Sequence, residues 1–168
     1  TYTAQTIATV NSSFNICVVD MNNDYKDDIV GVSANNLKIH YQTTPGNFSV
    51  SSYAVTGTSD MPTWSLAAGD YNRDGYNDLV LGSGSGLSFW QSNATGTGYT
   101  NINPSEYIFC QRTNFVDINN DGHLDAFSCH DVAPNVYYLN DATSNFTHYQ
   151  SGVTVGSYNL GTLSSGGN

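Results

Sequence analysis

Basic residues are almost missing from this chain: 4 lysines and arginines stand against 14 acids in 168 residues, a net charge of −10. With no basic cluster to offset phosphate repulsion, the surface excludes nucleic acid as a partner. Glutamate is scarcer still, a single Glu106 beside thirteen aspartates. Glu is the better helix former and Asp the better turn former, so the imbalance points away from helix and toward loops that use short carboxylates. No apolar run approaches the roughly 20 residues that cross a bilayer, so no membrane span is expected. No stretch sustains a helical period. No leader precedes Thr1, so the sequence reads as a mature or trimmed product. Three cysteines are too few and too odd in number for a disulfide scaffold. A chain of this length is one domain's worth and buries a core without staples.

What is abundant is Gly, Ser, Thr, Asn and Tyr, a composition of extracellular β proteins, which makes a secreted or cell-surface location the expectation. Twelve tyrosines and seven phenylalanines supply core material that a disordered acidic chain lacks. One loop is written three times: "DMNNDYKDDIV" from Asp20, "DYNRDGYNDLV" from Asp70 and "DINNDGHLDAF" from Asp117, at intervals of 50 and 47 residues. The distance from loop aspartate to the next aromatic run is 28, 29 and 29 residues, ending at Phe48, Tyr99 and Phe146. A period of this size marks a repeat architecture. Within one unit four short runs rich in Val, Ile, Tyr and Phe alternate with Gly, Asn and Ser, as in "FNICVVD", "DIVGVS", "NLKIHYQ" and "FSVSSYAV". Four strands in about 50 residues is the arithmetic of a β-propeller blade. The fold expected is all-β: one propeller segment over 1–168, with repeats at about 1–45, 46–96 and 97–144, then a trailing strand and linker over 145–168.

Numbered from its first aspartate, the loop places Asp20, Asn22, Asp24 and Asp28 at positions 1, 3, 5 and 9. The second copy has Asp70, Asn72, Asp74 and Asp78 there, and the third Asp117, Asn119, Asp121 and Asp125. Alternate oxygens in a tight loop converge on one point, which suits a hard cation seeking 6–8 oxygen ligands. Position 7 (Lys26, Tyr76, His123) adds a main-chain carbonyl, leaving its side chain free to vary. Position 6 is Gly75 and Gly122 but Tyr25 in the first copy, where a sharp turn wants glycine. An EF-hand needs a glutamate at position 12 and a following helix. Position 12 here is Gly31, Leu81 or Ser128, and the exit is β-type.

The DxNxDGxxD pattern closed by an apolar strand resembles the calcium loop of the FG-GAP/VCBS repeat family, the propeller repeats of integrin α-subunits and many secreted bacterial proteins. The resemblance covers nearly the whole chain and is weaker in the first copy. It implies a propeller with Ca²⁺, up to three ions here, in the loop joining the first two strands of each blade. Ten of the fourteen acids lie in the three loops, counting Asp27; metal would offset their mutual repulsion and convert binding energy into folding energy.

Three blades leave one face open at each end, with Ile29, Val30, Phe127 and Tyr138 expected on those faces. A protein partner or further blades are expected to cover them. A hairpin around loop three would bring Cys110 and Cys129 within disulfide reach, the alternative being small buried thiols. The sequons Asn11, Asn47, Asn93 and Asn145 sit in turn-like contexts open to glycosylation. His40, His123, His130 and His148 are scattered, and none joins a carboxylate and a nucleophile at a motif spacing, so no enzyme is expected. The expected function is a calcium-binding module for adhesion, binding or structural assembly. The alternative is a lectin-like propeller that binds glycan on Trp64, Trp90 and tyrosines.

Overall fold

The structure, a computed structural model, describes residues 4–7, 10, 15–33, 35–55, 63–143 and 145–160. The described residues form twelve strands and no α-helix. The first sheet holds β1 (Asn15–Val19), β2 (Asp28–Val32), β3 (Asn36–Thr44) and β4 (Asn47–Ala54). The second holds β5 (Ser65–Gly69), β6 (Asp78–Gly82), β7 (Leu87–Ser92) and β8 (Tyr99–Ile102). The third holds β9 (Cys110–Val116), β10 (Asp125–His130), β11 (Val136–Asn140) and β12 (Phe146–Gln150). Each is an antiparallel meander in which neighbours in sequence are neighbours in space. The strands run where β-branched and aromatic residues cluster, and Gly, Asn and Ser punctuate them. The sheets span 15–54, 65–102 and 110–150, because each aromatic run (β4, β8, β12) bonds to the strand before it. Counted from one aromatic run to the next, as the sequence period counts them, the same strands divide at the turns that precede β4, β8 and β12.

The sheets pack face to face as blades of an open β-propeller-like arc. β5 lies beside both β1 and β9. The middle blade shows why the arc holds: β6 is buried throughout, and its side chains alternate between two cores. Leu79 and Leu81 join Trp90, Val30, Val32, Leu37 and Ile39 between the first and second blades. Val80 joins Leu87, Phe89, Ala126, Val136 and Tyr138 between the second and third. Each large side chain so buried is worth about 1.5–3 kcal/mol. At Gly82 a Cβ would lie 2.3 Å from Cys110 Sγ, so glycine here permits the close approach of β6 to β9.

Three expectations are corrected. Val30 and Tyr138 are 0% and 2% exposed in the two inter-blade cores, not on the outer faces; a one-residue change of phase along a strand moves a side chain to the other face. The outer face of the third blade is covered in part: Tyr137 is fully buried, stacked on Tyr149 at 5.3 Å and on Tyr158 at 5.9 Å, and the Tyr158 amide donates to the Tyr137 hydroxyl at 2.5 Å, while Val116 on the same face stays 42% exposed. The first blade differs, with Ile16, Val18 and Val50 44–61% exposed on its outer side. Lastly, no disulfide joins Cys110 and Cys129, which are free thiols, as Cys17 is. Cys110 pairs across the ladder with His130 and shares its face with Ser128, whereas Cys129, one residue along, points to the opposite face. Residues 4–7 form no strand, and Gln5 donates its side-chain amide to the Gly46 carbonyl at 2.8 Å.

Candidate metal centre

Each repeated loop leaves the first strand of its blade and returns as the second, so all three occupy equivalent places. The first aspartate winds the loop around its own carboxylate. Asp70 accepts from the amides of Asp74 at 3.0 Å and Gly75 at 2.9 Å. Asp117 does so from Asp121 at 3.1 Å and Gly122 at 2.9 Å, and Asp20 from Asp24 at 3.2 Å and Tyr25 at 2.7 Å. The asparagine at position 3 accepts from the same position-5 amide in every copy, at 3.0–3.2 Å. The position-5 carboxylate in turn accepts from the amides of Lys26, Tyr76 and His123 at 3.0, 2.9 and 2.8 Å. These nested Asx turns explain why short side chains alternate along the loop: the Asp or Asn side-chain oxygen reaches an amide two residues on, which a longer Glu or Gln does not do as readily.

Such winding requires left-handed backbone. Position 6 has φ of 65° at Tyr25, 91° at Gly75 and 86° at Gly122, so the tyrosine adopts the strained conformation rather than a different turn. Position 4 is left-handed as well, at Asn23, Arg73 and Asn120, with φ near 60° in all three. Sequence reasoning missed that position; asparagine in two of three copies is the signal that was there.

The last carboxylate has a role that spacing does not reveal. Asp28, Asp78 and Asp125 are each 0% exposed. One oxygen accepts from the second loop residue, Met21 at 2.9 Å, Tyr71 at 3.1 Å or Ile118 at 2.8 Å. The other accepts at 2.8 Å from the third strand or its continuation, at Gln42, Ser92 or Asn140. The aspartate thereby ties loop, second strand and third strand together. Burial pushes all three carboxyls above the usual carboxylate range, Asp78 to about 7, against the pull of those amides. Neighbouring charges add to the rise: Asp24 and Asp20 act on Asp28, Asp74 and Asp70 on Asp78, and Asp121 on Asp125. The fold thus brings positions 1, 5 and 9 close enough to repel in the first two loops, and positions 5 and 9 in the third.

Among the described residues no three His, Cys, Asp or Glu side chains are grouped as a preformed metal cluster; positions 1, 3 and 5 turn oxygens onto the loop's own amides. The donor set is nevertheless all oxygen, with carboxylates at three positions, an amide at a fourth and a carbonyl at position 7, the chemistry of a hard cation. The only ion pair among the described residues is Lys26 with Asp24, at 2.8 Å. In the other copies that carboxylate oxygen accepts instead from Asn72 at 3.1 Å and Asn119 at 2.8 Å. The loops are also laced to one another: Asn77 donates to the Asp20 carbonyl at 2.7 Å, Arg73 to the Gly122 carbonyl, and Asn140 to the Tyr71 carbonyl at 2.8 Å.

With that geometry in hand, comparison with known proteins is decisive on family. FG-GAP-like repeats match residues 20–81 and 70–128, each match running from one loop through the next and into its exit strand. The chain belongs to the FG-GAP-like repeat family. No curated protein matches it. The two overlapping FG-GAP matches begin at Asp20 and Asp70, the aspartates that wind loops one and two. Outside the FG-GAP loops, Trp90 is 4% exposed inside the first inter-blade core, and Trp64 lies edge-on to Phe109 at 5.1 Å. His130 is buried against Tyr107 with its imidazole held below the usual range by burial. The sequons Asn47, Asn93 and Asn145 are exposed, and Asn11 lies outside the described residues. No helix among the described residues is long and apolar enough to cross a membrane.

Proposed function

We propose that this FG-GAP module is a calcium-stabilised, non-catalytic binding or adhesion unit that works outside the cell. The observation that carries the reading is the buried aspartate closing each loop: three carboxylates, fully buried, have amide partners but no cationic one, and like charges crowd them. A divalent ion held by positions 1, 3, 5 and 9 and the position-7 carbonyl would supply the missing charge. Loops two and three, with glycine at position 6, are the stronger sites. In loop one Lys26 already neutralises Asp24, and that site is the weakest. Millimolar calcium is characteristic of extracellular modules, consistent with a secreted or cell-surface setting. The exposed outer side of the first blade is where a further blade or a protein partner would dock.

Thermal melts with Ca²⁺, Mg²⁺ and EDTA test the proposal, together with Asp74→Ala. Calcium should raise the melting temperature in a concentration-dependent way, and the variant should lose most of that gain while differing little from wild type in EDTA. An equal difference with and without chelator would refute it.

A further inference from the structure

The connector from β8 to β9 forms one wall of a cleft of about 360 Å³ at the junction of the second and third blades, remote in sequence from the loop aspartates. The volume lies within the range of small-molecule sites, about 300–1,000 Å³. Its floor is aromatic. The ring a ligand meets is Phe146, half-buried and stacked on the buried Phe89 with centroids 4.4 Å apart, and the buried Tyr138 stands edge-on to both, at 5.7 and 6.4 Å. Ile102 and Pro104 add apolar wall. The polar groups are Glu106, the chain's one glutamate, whose carboxylate accepts from the Tyr138 hydroxyl at 3.3 Å, and His148, set edge-to-face on Tyr138 at 5.3 Å.

The one formal charge in this lining is the Glu106 carboxylate. Asn103, Ser105 and Asn145 are neutral, and the Asn145 amide is spent on Thr143 and Asp141. Burial holds the His148 imidazole below its usual range, so at neutral pH it offers a lone pair rather than a charge. None of the chain's four basic residues lines the cleft, and Glu106 has no ion pair among the described residues. The net charge of −10 makes the surrounding field attractive to cations and repulsive to anions. A ligand suited to an unpaired carboxylate above an aromatic floor is positively charged and apolar behind its charge.

We infer that this cleft binds a small organic cation, an ammonium group on an apolar stem, with the charge between the Glu106 carboxylate and the aromatic floor and the stem along Ile102 and Pro104. A neutral polyol fits less well, since it leaves the Glu106 charge without a counter-charge. A free amine and a lysine side chain share the required chemistry.

The test is amide chemical-shift titration of the calcium-loaded chain at neutral pH and low salt. The probes are n-butylammonium, the neutral alcohol 1-pentanol, an acetylated Gly-Lys-Gly amide and methyl glucoside. Butylammonium or the lysyl peptide should shift Glu106, Phe146 and His148, and pentanol and the glucoside should not. Tighter binding of the peptide assigns the cation to a partner's side chain; tighter binding of butylammonium assigns it to a free amine. Glu106→Gln, at a connector position that leaves the strands intact, should weaken the ammonium about tenfold. Equal binding of pentanol, preference for the glucoside, undiminished affinity in Glu106→Gln, or no shift with any probe would each overturn the inference.

Discussion

Replacing Tyr25 by glycine should make this protein more stable, although it deletes the largest side chain in loop one. The ring is 92% exposed, so almost no packing is lost. The hydrogen bond that defines the turn, from the Tyr25 amide to Asp20 at 2.7 Å, is made by backbone and survives the change. What changes is the cost of φ at 65°, where the equivalent glycines of the other loops sit at 91° and 86°. A left-handed L-residue costs about 1–2 kcal/mol, and the added unfolded-state entropy of glycine returns about 0.5–1 kcal/mol of that. The net gain is about 0.5–1 kcal/mol, or about 1–4 °C in melting temperature for a chain of this size. Urea unfolding of wild type, Tyr25→Gly and Tyr25→Asn, in calcium and in EDTA, measures it; asparagine should fall between. Gly75→Tyr supplies the converse. A Cβ there meets nothing closer than Asn23 Nδ2 at 3.6 Å, so any loss reports backbone strain rather than a clash. Tyr25→Gly no more stable than wild type, at unchanged m-value, would refute the strain argument.

Asp78 predicts a pH dependence seen only without metal. Its folded pKa of about 7 lies above the unfolded 3.8, so the folded state holds the extra proton; stability is full below pH 3.8 and is lost as pH rises through about 7. In EDTA wild type should therefore weaken relative to Asp78→Asn across that window, by up to about 4 kcal/mol, and a parallel pH course for the two chains would contradict the assignment. Gly82→Ala should cost about 1–3 kcal/mol by overpacking, and adding Cys110→Ala should recover part of it, because the Cys110 sulfur is the nearest atom at 2.3 Å; calorimetry of the single and double variants decides. Reductant should leave the melt unchanged, since all three cysteines are free. Burial pushes the Cys17 and Cys110 thiols up to about 12 and about 11, so both should label slowly in the native state and rapidly in urea.

What the amino-acid sequence determined by itself is whatever depends on a few neighbouring residues. The three loops follow from Asp and Asn at alternate positions, because the Asx turns that wind them close within six residues. Blade strands were legible for the same reason: short β-rich runs between turn residues form meanders without reference to the rest of the chain. Tertiary structure alone decided which face of each strand meets which blade. A period of two is satisfied equally by either phase, so Val30 and Tyr138 could be assigned to a face only once a neighbouring blade was present. The same holds for Cys110 and Cys129, adjacent through a hairpin yet on opposite faces of it. The closing aspartates show both levels in one residue. Their place in the loop is set by nine residues of sequence, but their burial, their bonds to Gln42, Ser92 and Asn140, and Asp78's pKa of about 7 arise only when the third strand docks 14 or 15 residues later and removes water from a charge.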